Sequence, residues 1–256
     1  VLETSKLTKR FGGHVAVNAV SCTFERGTLT AIVGPNGAGK TTYFNLVSGQ
    51  MASSAGDVLL DGRSLSNHRA SARTQAGLGR SFQLTNLFPN LTVLENLRLA
   101  VQATKKGRHR SGLNLWSIWT DHPELTDRAW ELLKLTRLET RAADLAASLP
   151  HGDQRKLEVA LLMALEPTVF MFDEPTAGMN AAEAPVILDL IRELKKDKSK
   201  IILLVEHKMD VVRELADRII VLHNGTLVAD GSPAEVIAMP IVQEAYLGAT
   251  VGGSPP

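Results

Sequence analysis

Residues Gly34-Pro35-Asn36-Gly37-Ala38-Gly39-Lys40-Thr41 satisfy the spacing G-x-x-x-x-G-K-[ST], and they lie between a short apolar run, Leu29 to Val33, and a helical pattern over Thr41 to Ser48. Gly49 supplies that helix with a stop. Strand, glycine loop and helix in this order bring the chain backbone close to phosphate. Glycines allow the tight wrap, and the loop N–H groups and helix N-terminus face negative charge. Lys40 is then placed to reach the β/γ-phosphates, and the Thr41 hydroxyl to hold Mg²⁺, with Thr42 next in the first helical turn. The motif predicts nucleotide binding.

A chain of 256 residues, 44% hydrophobic, can bury a sizeable core in one large domain or two modest ones. Its longest apolar runs, such as Val159 to Leu165 and Ile201 to Val205, fall short of the roughly 18 residues that a membrane span needs. The N-terminal residues carry neither the basic start nor the apolar stretch of a secretory signal, and the single Cys22 fits a reducing, cytosolic compartment and a small core side chain. A net charge of +1 sets up no field calling for nucleic acid. The one basic run, Lys105-Lys106-Gly107-Arg108-His109-Arg110, reads as a solvated loop before it reads as a lipid-headgroup or RNA contact.

Short apolar runs alternate with helical patterns, which predicts an α/β fold around a mainly parallel sheet. Strands are expected at Leu29–Val33, Val58–Leu60, Leu78–Phe82, Val169–Phe172, Ile201–Val205 and Ile219–Leu222, with Asn224-Gly225 turning a hairpin into Thr226–Ala229. From about Leu84 to Leu165 the pattern is helical only. Thr92-Val93-Leu94-Glu95 is a capping box, Pro123 to Leu135 a second helix and Asp153 to Leu165 a third. Ser232-Pro233-Ala234-Glu235 opens a further helix, and Gly252 to Pro256 reads as a tail.

A phosphate loop alone leaves kinases, GTPases and many ATPases open. The strand Val169-Phe170-Met171-Phe172 runs directly into Asp173 and Glu174, which puts Asp173 where it can bind Mg²⁺ and Glu174 where it can orient or deprotonate an attacking water. Ile201–Val205 similarly ends in Glu206 and His207, and the residues leave His207 open between a surface histidine and a catalytic one. Phe11 is open between ring stacking and core packing.

In chain order, the phosphate loop, Gln83 after Gly79-Arg80-Ser81-Phe82, Leu149-Pro150-His151-Gly152-Asp153-Gln154, Asp173-Glu174 and His207 resemble the nucleotide-binding subunit of an ATP-binding-cassette (ABC) transporter. The resemblance covers nearly the whole chain. It implies a RecA-like P-loop core, here residues 1–83 and 166–256, with an antiparallel β subdomain and a helical subdomain inserted at 84–165, all within one domain. It also implies Gln83 as the loop residue that contacts Mg²⁺ and couples to the membrane partner, Glu174 as catalytic carboxylate, His207 as γ-phosphate switch, Ala177 to Asn180 as D-loop and Phe11 as the adenine-stacking ring. Arg80 to Gln83, Leu87 to Asn96, Glu206-His207 and Ala245-Tyr246-Leu247-Gly248 are similar to the ATPases of branched-chain amino acid importers, with urea and amide importers as close relatives.

The same resemblance implies a peripheral ATPase on the cytoplasmic face of the inner membrane. Its expected partners are transmembrane permease subunits, a second ATP-binding subunit and, indirectly, an extracytoplasmic solute-binding protein. ABC ATPases of lipid export or extraction, and soluble ABC-type switches, share the same motifs. One position departs from the family: the signature serine is Pro150, which has neither hydroxyl nor N–H, and the following polar position is Asp153. Gly152 and the helix start remain as anion-binding elements. The loss of a phosphate contact favours a heterodimer with unequal ATP sites.

Overall fold

The computed structural model describes residues 1–81, 87–108 and 123–247. Gln83, Phe82, the side chains of the basic run from Lys105 and the closing segment from Ala245 lie outside the described residues and side chains. In chain order the elements are β1 (Leu2–Phe11), β2 (His14–Phe24), β3 (Leu29–Val33), α1 (Lys40–Ser48), β4 (Ala55–Leu60), β5 (Arg63–Ser64), α2 (Ala70–Gln75), β6 (Leu78–Arg80) and α3 (Val93–Arg108). The chain continues with α4 (Pro123–Leu135), α5 (His151–Ala164), β7 (Val169–Asp173), α6 (Ala184–Lys196), β8 (Ile201–Val205), α7 (Met209–Leu215), β9 (Arg218–His223), β10 (Thr226–Gly231), α8 (Pro233–Ile237) and α9 (Pro240–Leu247).

Two sheets result. The larger has the order β10-β9-β3-β8-β7-β6, parallel throughout except for the β9–β10 hairpin at Asn224-Gly225. The smaller, β2-β1-β4-β5, is antiparallel. Its first two strands were not expected from the sequence pattern, because register shifts in β1–β2 and left-handed backbone at Lys6 and Ala19 interrupt the two-residue alternation.

Strands buried on both faces read as continuous apolar runs, and the central three do. Phe170, Phe172, Ile202, Leu204, Ala31 and Val33 face a cluster built with α3, α4, α5 and α6, while Val169, Met171, Ile201, Leu203, Val205 and Ile32 face a second one built with α1, β1 and β2. The parallel strands therefore end together at one edge, and the phosphate loop after β3, Asp173 at the end of β7 and Glu206 after β8 emerge there side by side. In open parallel sheets this carboxyl edge is where ligands bind.

Candidate active site

The phosphate loop is held open by contacts that leave no room for side chains. Gly39 has φ +95°, and a Cβ there would lie 2.4 Å from Ala16 O; at Gly34 a Cβ would lie 2.2 Å from Leu222 O. The loop is pinned from outside by the Gly225 N–H, which donates to Ala38 O at 3.0 Å, an ordinary hydrogen-bond length. Lys40, the first residue of α1, is buried and donates from Nζ to Gly34 O at 2.6 Å and Pro35 O at 2.9 Å. Burial lowers its pKa from the ordinary lysine value, and the carboxylates of Glu174 and Asp173 oppose that shift.

A cavity of about 410 Å³ opens over this loop and is lined by Asn36 to Thr42, Phe11, His14, Ala16, Glu174 and His207. Phe11 closes β1 with 46% of its surface exposed, so core packing is not its role, and Lys9 Nζ lies 5.2 Å from its ring centroid. Glu174 adopts φ +48°, uncommon for a residue with a side chain, and its N–H donates to Val205 O at 2.9 Å. Its Oε1 lies 2.6 Å from His207 Nε2. Two residues from different strand ends thus meet in one wall of the cavity.

Arg80 and Glu206 were not singled out as site residues in the sequence, yet both organise this edge. The buried Arg80 guanidinium sits 2.6 Å from Asp173 Oδ2, donates to Asn45 Oδ1 at 2.7 Å and Ser48 Oγ at 3.0 Å, and lies 4.8 Å above the Phe44 ring. It thereby fixes Asp173 against α1. The Arg-Ser-Phe-Gln stretch was the available signal, but not the partner ninety-three positions away. Glu206 is 3% exposed and accepts from Thr176 Oγ1 at 3.0 Å and from the N–H groups of His207 and Lys208 at 2.7 and 3.2 Å.

Pro150, Gly152 and Asp153 are not among the residues lining this cavity. Pro150 is the N-cap of α5, which begins at His151, two residues before the expected Asp153, and ends at Ala164. No side chain caps it. Asp153 Oδ1 accepts from Lys156 Nζ at 2.8 Å, and its Oδ2 lies 3.9 Å from Arg141 Nε. The Glu183 carboxylate packs against Gly152, where a Cβ would meet it at 2.3 Å.

Residues 17–177 match the ABC transporter family, and residues 226–251 match a family described as branched-chain amino acid ATP-binding cassette transporter. The high-affinity branched-chain amino acid transport ATP-binding protein LivG of Salmonella typhimurium (strain LT2) is 39% identical over 97% of this chain and 98% of its own length. BraF of Pseudomonas aeruginosa, a protein of the same description, is 36% identical over 97% and 98%. Among solved structures, a nucleotide-free ATP-binding cassette from an ABC transporter superposes with TM-score 0.79 at 28% identity, covering 97% of this chain and 99% of that one. The ADP conformation of the cassette MJ1267 gives TM-score 0.79 at 27% identity, covering 97% and 98%. With a family match over most of its length, a matching nucleotide-loop edge and relatives aligned end to end, the chain belongs to the ABC transporter family as one of its ATP-binding cassettes.

Proposed function

We propose that the chain powers a branched-chain amino acid importer, binding and hydrolysing ATP in the cavity over its phosphate loop. The observation that carries this reading is the 2.6 Å Glu174–His207 pair standing in the same cavity as Lys40 and the α1 N-terminus. Lys40 supplies fixed positive charge at the loop, and the Gly39–Thr42 backbone turns N–H groups toward the anion. Phe11, exposed at the cavity wall, offers a face for the adenine ring. Glu174 accepts the proton of the attacking water, and His207 holds Glu174 and the reacting oxygens in register.

The donor set suits Mg²⁺, which takes hard oxygen ligands and leaves the rest of its shell to phosphates and water. Thr41 and Asp173, with Gln83, are the residues that would hold it, and the ion would neutralise charge on the β- and γ-phosphate oxygens. The buried Arg80–Asp173 pair supports this by fixing the carboxylate at the strand end.

The partners belong to the same reading: the chain sits peripherally at the cytoplasmic face of the inner membrane against transmembrane permease subunits, with a second ATP-binding subunit beside it and an extracytoplasmic solute-binding protein as an indirect partner. No helix among the described residues is long and apolar enough to cross a membrane. Pro150 offers no hydroxyl and Asp153 is engaged by Lys156, which supports a heterodimer whose partner carries a fuller signature.

Glu174→Gln is the test. The variant is expected to bind ATP as the parent does and to hydrolyse it about 10²–10⁴-fold more slowly. ATP affinity by calorimetry and phosphate release by single-turnover assay read the two separately, and near-normal turnover removes Glu174 from the role.

A further inference from the structure

Glu206 is a buried carboxylate with a specific set of partners that the hydrolytic reading leaves unused. It follows the last residue of β8, is 3% exposed, and faces only donors in its hydrogen bonds: Oε2 takes the N–H groups of His207 and Lys208, and Oε1 takes the Thr176 hydroxyl. Thr176 lies two residues after Glu174, on the loop that leaves β7. The same two loops are stitched a second time by the Glu174 N–H on Val205 O. A carboxylate is removed from water only where its lone pairs are well satisfied, and hydrogen bonds to an ionised acceptor are the stronger kind. One side chain thus fixes the backbone direction from which His207 projects and anchors it to the loop that carries Glu174.

We propose that Glu206 is a positioning residue for hydrolysis: it sets the Glu174–His207 distance by bracing the His207 backbone against Thr176, and acts on the reaction through His207. This rests on the assignment of Glu174 and His207 to catalysis. Each of its three hydrogen bonds among the described residues is a donor onto oxygen, so the position requires an acceptor of the right length and not a charge. A glutamine meets the requirement, because its carbonyl replaces Oε2 and its amide faces the Thr176 hydroxyl, which can turn and accept.

The experiment is steady-state ATP hydrolysis by the purified transporter complex that carries this chain or its variants, each variant chain checked for an unchanged melting profile. Glu206→Ala is expected to lower kcat roughly ten- to a hundredfold, the range for leaving buried donors unpaired, with KM for ATP within about twofold of the parent. Glu206→Gln is expected to restore most of kcat. In a His207→Ala background, Glu206→Ala is expected to cost no more than about twofold further, since its effect runs through the missing imidazole. If Glu206→Ala does not fold, Thr176→Val serves in its place, with a smaller loss in kcat that also vanishes in the His207→Ala background. Additive losses overturn the inference, as does a folded Glu206→Gln that is as slow as Glu206→Ala. Slow His207→Ala with unimpaired Glu206→Ala overturns it alone, whereas normal turnover in His207→Ala overturns the assignment of the site and this inference with it.

Discussion

Lys40 holds its ammonium against two carbonyls of its own loop, so the positive charge is already positioned before any phosphate arrives. Removing it leaves backbone N–H groups to bind the β/γ-phosphates alone. Lys40→Ala is expected to weaken ATP binding by about ten- to a hundredfold or more, the equivalent of a charge-assisted hydrogen bond of ~1.5–3 kcal/mol, with the melting temperature retained; fluorescence titration of a nucleotide analogue measures it. Gly39 tests the backbone instead. With φ +95° and Ala16 O in the way of any Cβ, Gly39→Ala is expected to destabilise the fold by ~1–3 kcal/mol. Urea unfolding would show this, along with lost nucleotide binding. At this scale the sequence was readable wherever chemistry and spacing coincide: the loop stands out because its neighbours in the chain are also its neighbours in space, and Asp173-Glu174 because an apolar strand runs straight into the two carboxylates. Arg80 and Glu206 do not, since Asp173 and Thr176, which give them meaning, lie ninety-three and thirty positions away.

Elements matched the pattern where period and caps agreed. The Thr92 box forms, with the Thr92 N–H on Glu95 Oε2 at 2.7 Å and the Glu95 N–H on Thr92 Oγ1 at 3.2 Å, and the Ser232–Glu235 box opens α8. Helix α4 has the expected limits, Pro123–Leu135. By contrast, α6 was missed although Val186, Ile187, Leu190 and Ile191 recur at helical spacing on its buried side, so that signal was present. Strands β1 and β2 were concealed by bulges that shift their register. Cys22 belongs to that sheet, and burial pushes its thiol from 9.0 up to about 11. A raised thiol pKa means that the folded state holds the proton more tightly; the associated stability is in place below about pH 9 and declines as pH climbs toward about 11. Cys22 is accordingly expected to resist maleimide at pH 8 in the native protein and to react at once in denaturant, as mass spectrometry would record. Labelling of the folded chain at a free-thiol rate would contradict this.

For the whole molecule, the alternation of apolar runs and helices announced an α/β fold around a mainly parallel sheet, and its parallel core was legible in Leu29–Val33, Val169–Phe172 and Ile201–Val205 because these runs are apolar on nearly every residue. Strand order was not, because the sequence carries no mark of which buried run lies next to which. Dimerisation belongs to this scale as well. On the unequal-site reading, Pro150→Ser restores a hydroxyl at the N-cap of α5, and in a Glu174→Gln background it is expected to convert the isolated chain from mostly monomer to an ATP-dependent homodimer, seen by sedimentation velocity. Equal self-association with and without the serine would sink the heterodimer proposal. The order of the large sheet has one more effect. Strands β6 and β7 lie side by side, Gly79 opposite Phe170, although α3, α4 and α5 come between them in the chain. The polypeptide leaves the sheet and returns almost to the point of departure, so the excursion can lengthen, shorten or be replaced without changing any strand pairing, and a graft of another relative's helices that keeps Gln83 and the 149–154 stretch is expected to leave the sheet intact.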